Sequence, residues 1–166
     1  ESFDEDHTTI AQGLSILGMI YRDRGELEEA ESYLSESLQM HQRVYTDGHI
    51  HLAESYNTYG NFYMSIGQIE KAVPYFSEAL TMFKNVSPSG LFTIATTQHQ
   101  LGKAHLETKQ FPEAETHLLD AYRHFTQNEG ISDRHRKSTL QQLITLYREW
   151  EKQERAKMFE NELAAL

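Results

Sequence analysis

Between Leu14 and Leu38 the apolar residues fall at helical spacing twice over. Leu14, Leu17, Gly18 and Tyr21 share one face of a first helix, Gly25 interrupts, and Ala30, Leu34 and Leu38 resume the rhythm on a second. The pattern predicts a helix hairpin, and it returns every 42 residues: Gly18 maps to Gly60 and Gly102, and Ala30 to Ala72, Ala114 and Ala156. Self-similarity at such a period marks a repeat architecture. One hairpin cannot bury its apolar face alone, so neighbours stack, and a constant rotation per repeat gives the stack a concave side.

Applied along the chain, the periodicity predicts eight helices, at about 7–23, 26–45, 49–65, 68–85, 91–108, 111–127, 132–150 and 153–163. Gly25 and Gly67 supply tight turns within hairpins. Thr46-Asp47-Gly48, the stretch Val86-Ser87-Pro88-Ser89-Gly90 and Asn128-Glu129-Gly130 end the second helices. None of these breaks adds a residue to the 42 spacing, so they are expected to be repeat junctions within one domain over residues 7–166, with repeats at about 7–48, 49–90, 91–131 and 132–166. Residues 1–6 form an acidic lead, with Asp6 a candidate cap. Pro112 falls in a first turn, where proline is favoured, and Pro74 predicts a mild kink. Ser132 is the expected N-cap of the seventh helix. The glycines are expected to admit Ala30, Ala72 and Ala114 of the facing helix.

The phrases Leu14-x-x-Leu17-Gly18-x-x-Tyr21 with Ala30-x-x-x-Leu34, and Tyr56-x-x-Tyr59-Gly60-x-x-Tyr63 with Ala72-x-x-x-Phe76, resemble the tetratricopeptide repeat. The third copy keeps Leu101, Gly102, Ala114 and Leu118 but has Gln98 and His105 where a large apolar residue and Tyr are usual. The fourth keeps Leu140, Leu143, Tyr147 and Ala156, with Ile144 for glycine and Glu160 for the aromatic. A period of 42 instead of the usual 34 is similar to the longer-helix variant of kinesin light chains. Asp47-Gly48-His49 partly matches the Gly-x-x-His-Pro phrase that joins repeats there.

This resemblance implies an all-α, right-handed α-solenoid of four hairpins, eight antiparallel helices, acting in protein–protein interaction. It also implies that the first helix of each hairpin lines the concave groove. Carried onto this chain, the groove positions are Gln12, Ser15, Met19 and Arg22; Asn57, Asn61 and Met64; His99, Lys103 and Leu106; and Gln141, Thr145 and Arg148, with Glu54, Thr96 and Ser138 one turn earlier. Amides and cations on rigid helices suit the backbone of an extended peptide, because Asn and Gln both donate and accept. The carboxylate clamp of the chaperone-binding members is absent: its places hold Ser15, Met19, Thr58, Thr96 and Gln100. Of the paired groove asparagines of kinesin light chains, only Asn57, followed by Thr58, is matched.

Composition narrows the functional classes. The net charge of −10 argues against nucleic-acid binding, which needs clustered Lys and Arg. Acids crowd the first 36 residues and basic residues the stretch from Arg123 onward, giving an acidic head and a more basic tail. No cysteine is present, so no disulfide or thiolate metal site is expected. No run approaches the roughly 20 apolar residues of a membrane span, and no leader opens the chain, which predicts a cytoplasmic protein without membrane insertion. Glu1 at the start points to a piece of something larger.

Nine histidines raise a metal site, but neither His49-x-His51 nor the pair His117 and His124 has the companions of a closed one. His105 is expected to stand in for the core tyrosine. No phosphate loop or nucleophile motif occurs, so neither a cofactor nor an enzyme activity is expected. One face remains unexplained. Ile16 occupies the place of Thr58, Gln100 and Gln142 and joins Ile10, Leu14 and Ile20 on a helix with no preceding repeat. That face predicts a cover from upstream sequence or from a second copy of the chain, a homodimer through the N-terminal repeat, or else a satisfied local packing role.

Overall fold

A computed structural model describes residues 2–45, 48–87, 90–127 and 132–166, with side chains from His7 onward. Among them the secondary structure is helical: α1 (Ser2–Arg24), α2 (Leu27–Val44), α3 (Ile50–Ser65), α4 (Ile69–Val86), α5 (Leu91–Glu107), α6 (Phe111–Gln127), α7 (Asp133–Glu149) and α8 (Gln153–Ala164). The expected bounds hold to within two residues except at α1, which begins at Ser2 instead of His7. The cap role of Asp6, the turn residues Thr46 and Asp47, the linker residues Pro88 and Ser89, and the stop Asn128-Glu129-Gly130 lie outside the described residues. Helix α4 continues through Pro74. Ser132 caps α7 by accepting from the Arg134 amide.

All four hairpin turns use one device. Gly25 and Gly67 adopt φ of +81° and +74°, and their counterparts one and two repeats on, Lys109 and Glu151, take the same left-handed conformation at 59° and 58°. The amide of the next residue then reaches back to close the helix. Glu26 donates to the Tyr21 carbonyl at 3.0 Å, Gln68 to Tyr63 at 2.9 Å, Gln110 to His105 at 2.8 Å and Lys152 to Tyr147 at 2.8 Å. This Schellman pattern favours glycine, and Lys109 and Glu151 hold it without one.

The chain divides into two compact units, Glu1–Pro88 and Ser89–Leu166. In the first, α1 packs on α2, α2 on α3 and α3 on α4, and α1 also touches α3 directly; in the second, α5 to α8 repeat the scheme. The backbones of the two first helices thus approach within each unit, whereas α6 and α8 meet through side chains such as Tyr122 and Phe159. Each unit is narrower on its first-helix side.

The repeat glycines make room for a large residue. A Cβ on Gly60 would stand 2.7 Å from the Phe76 ring; on Gly18 and Gly102 it would meet Leu34 and Leu118 at 2.6 and 2.7 Å. The expected alanine is not what the glycine clears: Ala30 is reached only at its carbonyl oxygen, at 3.1 Å. The alanines are fully buried between the helices, and Leu34, Phe76 and Leu118, four residues on, fill the space over the glycines.

A tyrosine–glutamate tie at the same register links neighbouring hairpins in each unit. Tyr63 Oη donates to Glu31 at 2.6 Å in the first unit, and Tyr147 Oη to Glu115 at 2.7 Å in the second, where Arg155 also reaches the same carboxylate. Burial first, and the carboxylate second, push the Tyr147 phenol up to about 12 and the Tyr63 phenol higher still. His105, at the equivalent position in the third repeat, is buried as expected but bonds Gln110 of its own turn and stacks on His117. Gln98 is 1% exposed: Nε2 donates to Asp120 at 3.1 Å, while Oε1 is buried without a partner.

Candidate partner-binding surface

In the first unit the expected groove residues of α1 and α3 differ in exposure and in partners. Gln12 is exposed and contacts the His51 ring at 3.4 Å; His51 also bonds Glu54 at 3.0 Å. Ser15, Met19 and Met64 are half-buried. Arg22 is turned onto Asp23 of its own helix at 2.7 Å, an exposed pair of small energetic value. Asn57 and Asn61 stand one turn apart on α3, half-buried and each engaged in an interaction.

In the second unit the expected residues separate into three environments. Leu106 is 4% exposed and packs among Leu118, Leu140, Leu143 and Tyr147, so it is a core residue and presents nothing to a partner. Helix α7 covers it. Gln141, Thr145 and Arg148 come together with Ile144, Glu160, Leu163 and Ala164 around a depression of about 430 Å³ between α7 and α8. Arg148 makes a two-pronged bond to Glu160 across it, at 2.7 and 3.1 Å. Glu160, which the sequence marks as a lost aromatic on a polar last helix, is therefore part of that surface.

His99 occupies the third environment. It lines a cavity of about 200 Å³ with Thr96, Gln100, Phe125, His135 and Ser138, and its Nδ1 bonds Thr139 Oγ1 at 2.9 Å. Burial, then Lys103 and His135, push its pKa down to about 4. Lys103 lies within 3.8 Å of Glu107 on its own helix. The repeat register puts Thr96 and Ser138 on this face but gives no sign of Phe125 and His135, which arrive from α6 and the start of α7.

Three histidines of the first unit, His41, His49 and His51, gather at the junction of its hairpins. His41 is 2% exposed, bonds Ser55 Oγ at 2.7 Å and stacks with Tyr45 and His51, while His49 stacks on Tyr45 at 4.0 Å. Burial, and then the neighbouring His51, lower the pKa values of His41 and His49, with Glu54 opposing. Among the described residues no group of three His, Asp or Glu side chains could hold a metal ion.

One face of α1 is apolar and exposed. Ile10, Leu17 and Ile20 are 52%, 41% and 43% exposed, whereas their counterparts in α3, Leu52, Tyr59 and Phe62, are 5% or less. Ile16 is exposed beside them and Leu14 is half-buried. Among the described residues no helix is long and apolar enough to cross a membrane.

Two tetratricopeptide repeat models match the sequence, over residues 9–85 and 94–123. Comparison with curated proteins finds no match. Among solved structures, BtubC (BKLC) from P. vanneervenii superposes with a TM-score of 0.79 at 21% identity, over 96% of this chain and 63% of that one. A putative kinesin light chain of Podosopora anserina with nearly identical TPR-like repeats gives a TM-score of 0.80 at 18% identity, over 96% and 75%. A point variant of that Podosopora anserina protein gives 0.61 at 16%, over 96% and 95%. This chain thus spans less than two thirds of the length of BtubC, and the likenesses establish a shared all-α solenoid fold. With the two matched segments, the turn device repeated four times and the glycine and alanine registers, the chain belongs to the tetratricopeptide repeat family.

Proposed function

We propose that the chain is a protein-interaction module that binds a peptide or partner segment along the first-helix side of its hairpins. The observation that supports this reading is the direct approach of α1 to α3 and of α5 to α7; Asn57, Asn61, His99, Gln141 and their neighbours are the groove positions assigned on these first helices by the repeat register. Rigid helices hold the side chains in place, so little ordering is lost on binding. Repeats of this family generally serve interaction or scaffolding and are typically non-catalytic. A cytoplasmic setting agrees with this role.

A pull-down from source-cell lysate with the wild-type chain and an Asn57→Ala, Asn61→Ala, Lys103→Glu variant tests the reading. Partner recovery should drop sharply in the variant while helicity and melting temperature stay nearly unchanged. Equal recovery would overturn it.

The exposed Ile10, Ile16, Leu17 and Ile20 favour a second reading, in which this face pairs two copies of the chain as a homodimer. Ile16→Glu should then convert a dimer to a monomer in light scattering. A wild-type chain that is monomeric at all concentrations removes this reading.

A further inference from the structure

The cavity around His99 in the second unit has a defined hydrogen-bonding polarity. Thr139 Oγ1 donates its single proton to the His135 carbonyl at 2.9 Å, so it accepts from His99 Nδ1. The His99 ring therefore carries its proton on Nδ1 and keeps Nε2 as an acceptor. With a pKa of about 4 it stays neutral through the physiological range. Thr96 Oγ1 likewise donates to the Thr93 carbonyl at 2.9 Å and has only lone pairs left.

Two of the lining groups are thus fixed acceptors, while the Ser138 hydroxyl, the His135 ring and the Gln100 amide can donate. His135, half-buried and packed on the core ring of Phe125 with ring centres 5.4 Å apart, supplies a flat aromatic wall. We propose that this cavity is a subsite for the carboxamide of an asparagine or glutamine side chain on the bound segment. The two amide N–H groups meet His99 Nε2 and Thr96 Oγ1, the amide oxygen accepts from Ser138 or His135, and the planar head lies on the aromatic wall.

The isosteric carboxylate is disfavoured because it has no N–H to offer the two half-buried acceptors and sets lone pairs against them. An ammonium or guanidinium head has no acceptor to offer the Ser138 hydroxyl or the His135 ring. The inference rests on the groove-binding reading and narrows it to one side-chain class at one place.

The test uses the whole chain at neutral pH and follows the imidazole proton resonances of His99 and His135. The probes are the N-acetyl, N-methylamide derivatives of glutamine, asparagine, glutamate, arginine and leucine. The amide probes should shift His99 saturably, with glutamate at least tenfold weaker and arginine and leucine weaker still. Thr96→Val, which keeps the shape and removes an acceptor, should weaken the glutamine probe about fivefold and narrow its advantage over glutamate. If that variant does not fold by circular dichroism, Ser138→Ala replaces it with the same expected loss of amide binding.

Equal response to all five probes, tighter binding of glutamate, or no shift of His99 up to the solubility of the amides would overturn the subsite. Partner capture that still depends on Asn57 and Asn61, with His99 unmoved by the amides, overturns the subsite alone. Loss of both overturns the groove reading with it.

Discussion

Replacing Gly60 with alanine puts a methyl 2.7 Å from two carbons of the Phe76 ring and 3.0 Å from a third. Carbon atoms in ordinary contact stand about 3.5–4.0 Å apart. Phe76 is 0% exposed, so the ring has no free space to turn into, and the helix or the ring must shift by several tenths of an ångström. Overpacking of this kind costs about 1–3 kcal/mol, and a rigid aromatic neighbour puts Gly60 in the upper part of that range. Alanine returns about 1 kcal/mol of helix propensity. The net result is a loss of about 1–2 kcal/mol.

Gly13 is the control. It also lies in a helix, but nothing stands within 4 Å of the point its Cβ would occupy, so Gly13→Ala should gain about 1 kcal/mol. The two variants should fall on opposite sides of wild type and differ by roughly 2–3 kcal/mol. Urea unfolding followed by circular dichroism, with fitted slopes equal among the three proteins, reads this directly. A Gly60→Ala midpoint equal to or above wild type would refute the close-approach account of the repeat glycine.

Lys109→Gly and Glu151→Gly relieve left-handed backbone that a side chain resists. Each should raise stability by about 0.5–1 kcal/mol after allowing for glycine's freer unfolded chain, seen as a higher urea midpoint. Gln98→Leu removes a buried, unpartnered Oε1 and leaves the half-buried Asp120 to water and Arg123; it should stabilise by about 1 kcal/mol in the same assay. Lowered pKa values at His41, His49 and His99 mean that the unfolded chain binds more protons than the folded one below the free histidine value of about 6.5. The stability they contribute is present above that pH and is lost as pH falls, for His99 toward about 4. Urea midpoints should therefore drop between pH 7.5 and 5.5, and His99→Gln should shrink the drop; a flat profile would contradict the burial of these rings.

Much of this molecule is written locally. Helix bounds, the hairpin order and the turns at Gly25 and Gly67 depend on apolar residues three or four apart and on single breakers, so one stretch of chain suffices to read them. The Tyr–Glu ties were legible in principle, since Glu31 with Tyr63 recurs as Glu115 with Tyr147 two repeats later. That signal appears only when repeats are compared in pairs, matching the two compact units.

Other features depend on what a neighbouring hairpin brings. Leu106 occupies a groove position by register, yet α7 packs over it and makes it core, while Arg148, at the same register, remains exposed against Glu160. The glycines were expected to admit alanines because both are small; the true neighbours, Leu34, Phe76 and Leu118, lie one turn further on, a choice made by how the two helices cross. Lys109 and Glu151 adopt the turn backbone with no glycine to announce it, where the amides of Gln110 and Lys152 close the helix onto the His105 and Tyr147 carbonyls. The repeat, its helices and the family are therefore legible from residue order, since each rests on spacings of a few residues or on one constant period. Which register positions become surface or core, and where the protons of His99 and Thr139 lie, follows from packing between hairpins. Those features rest on contacts such as His99 with Thr139, 40 residues apart in the chain, which no local pattern encodes.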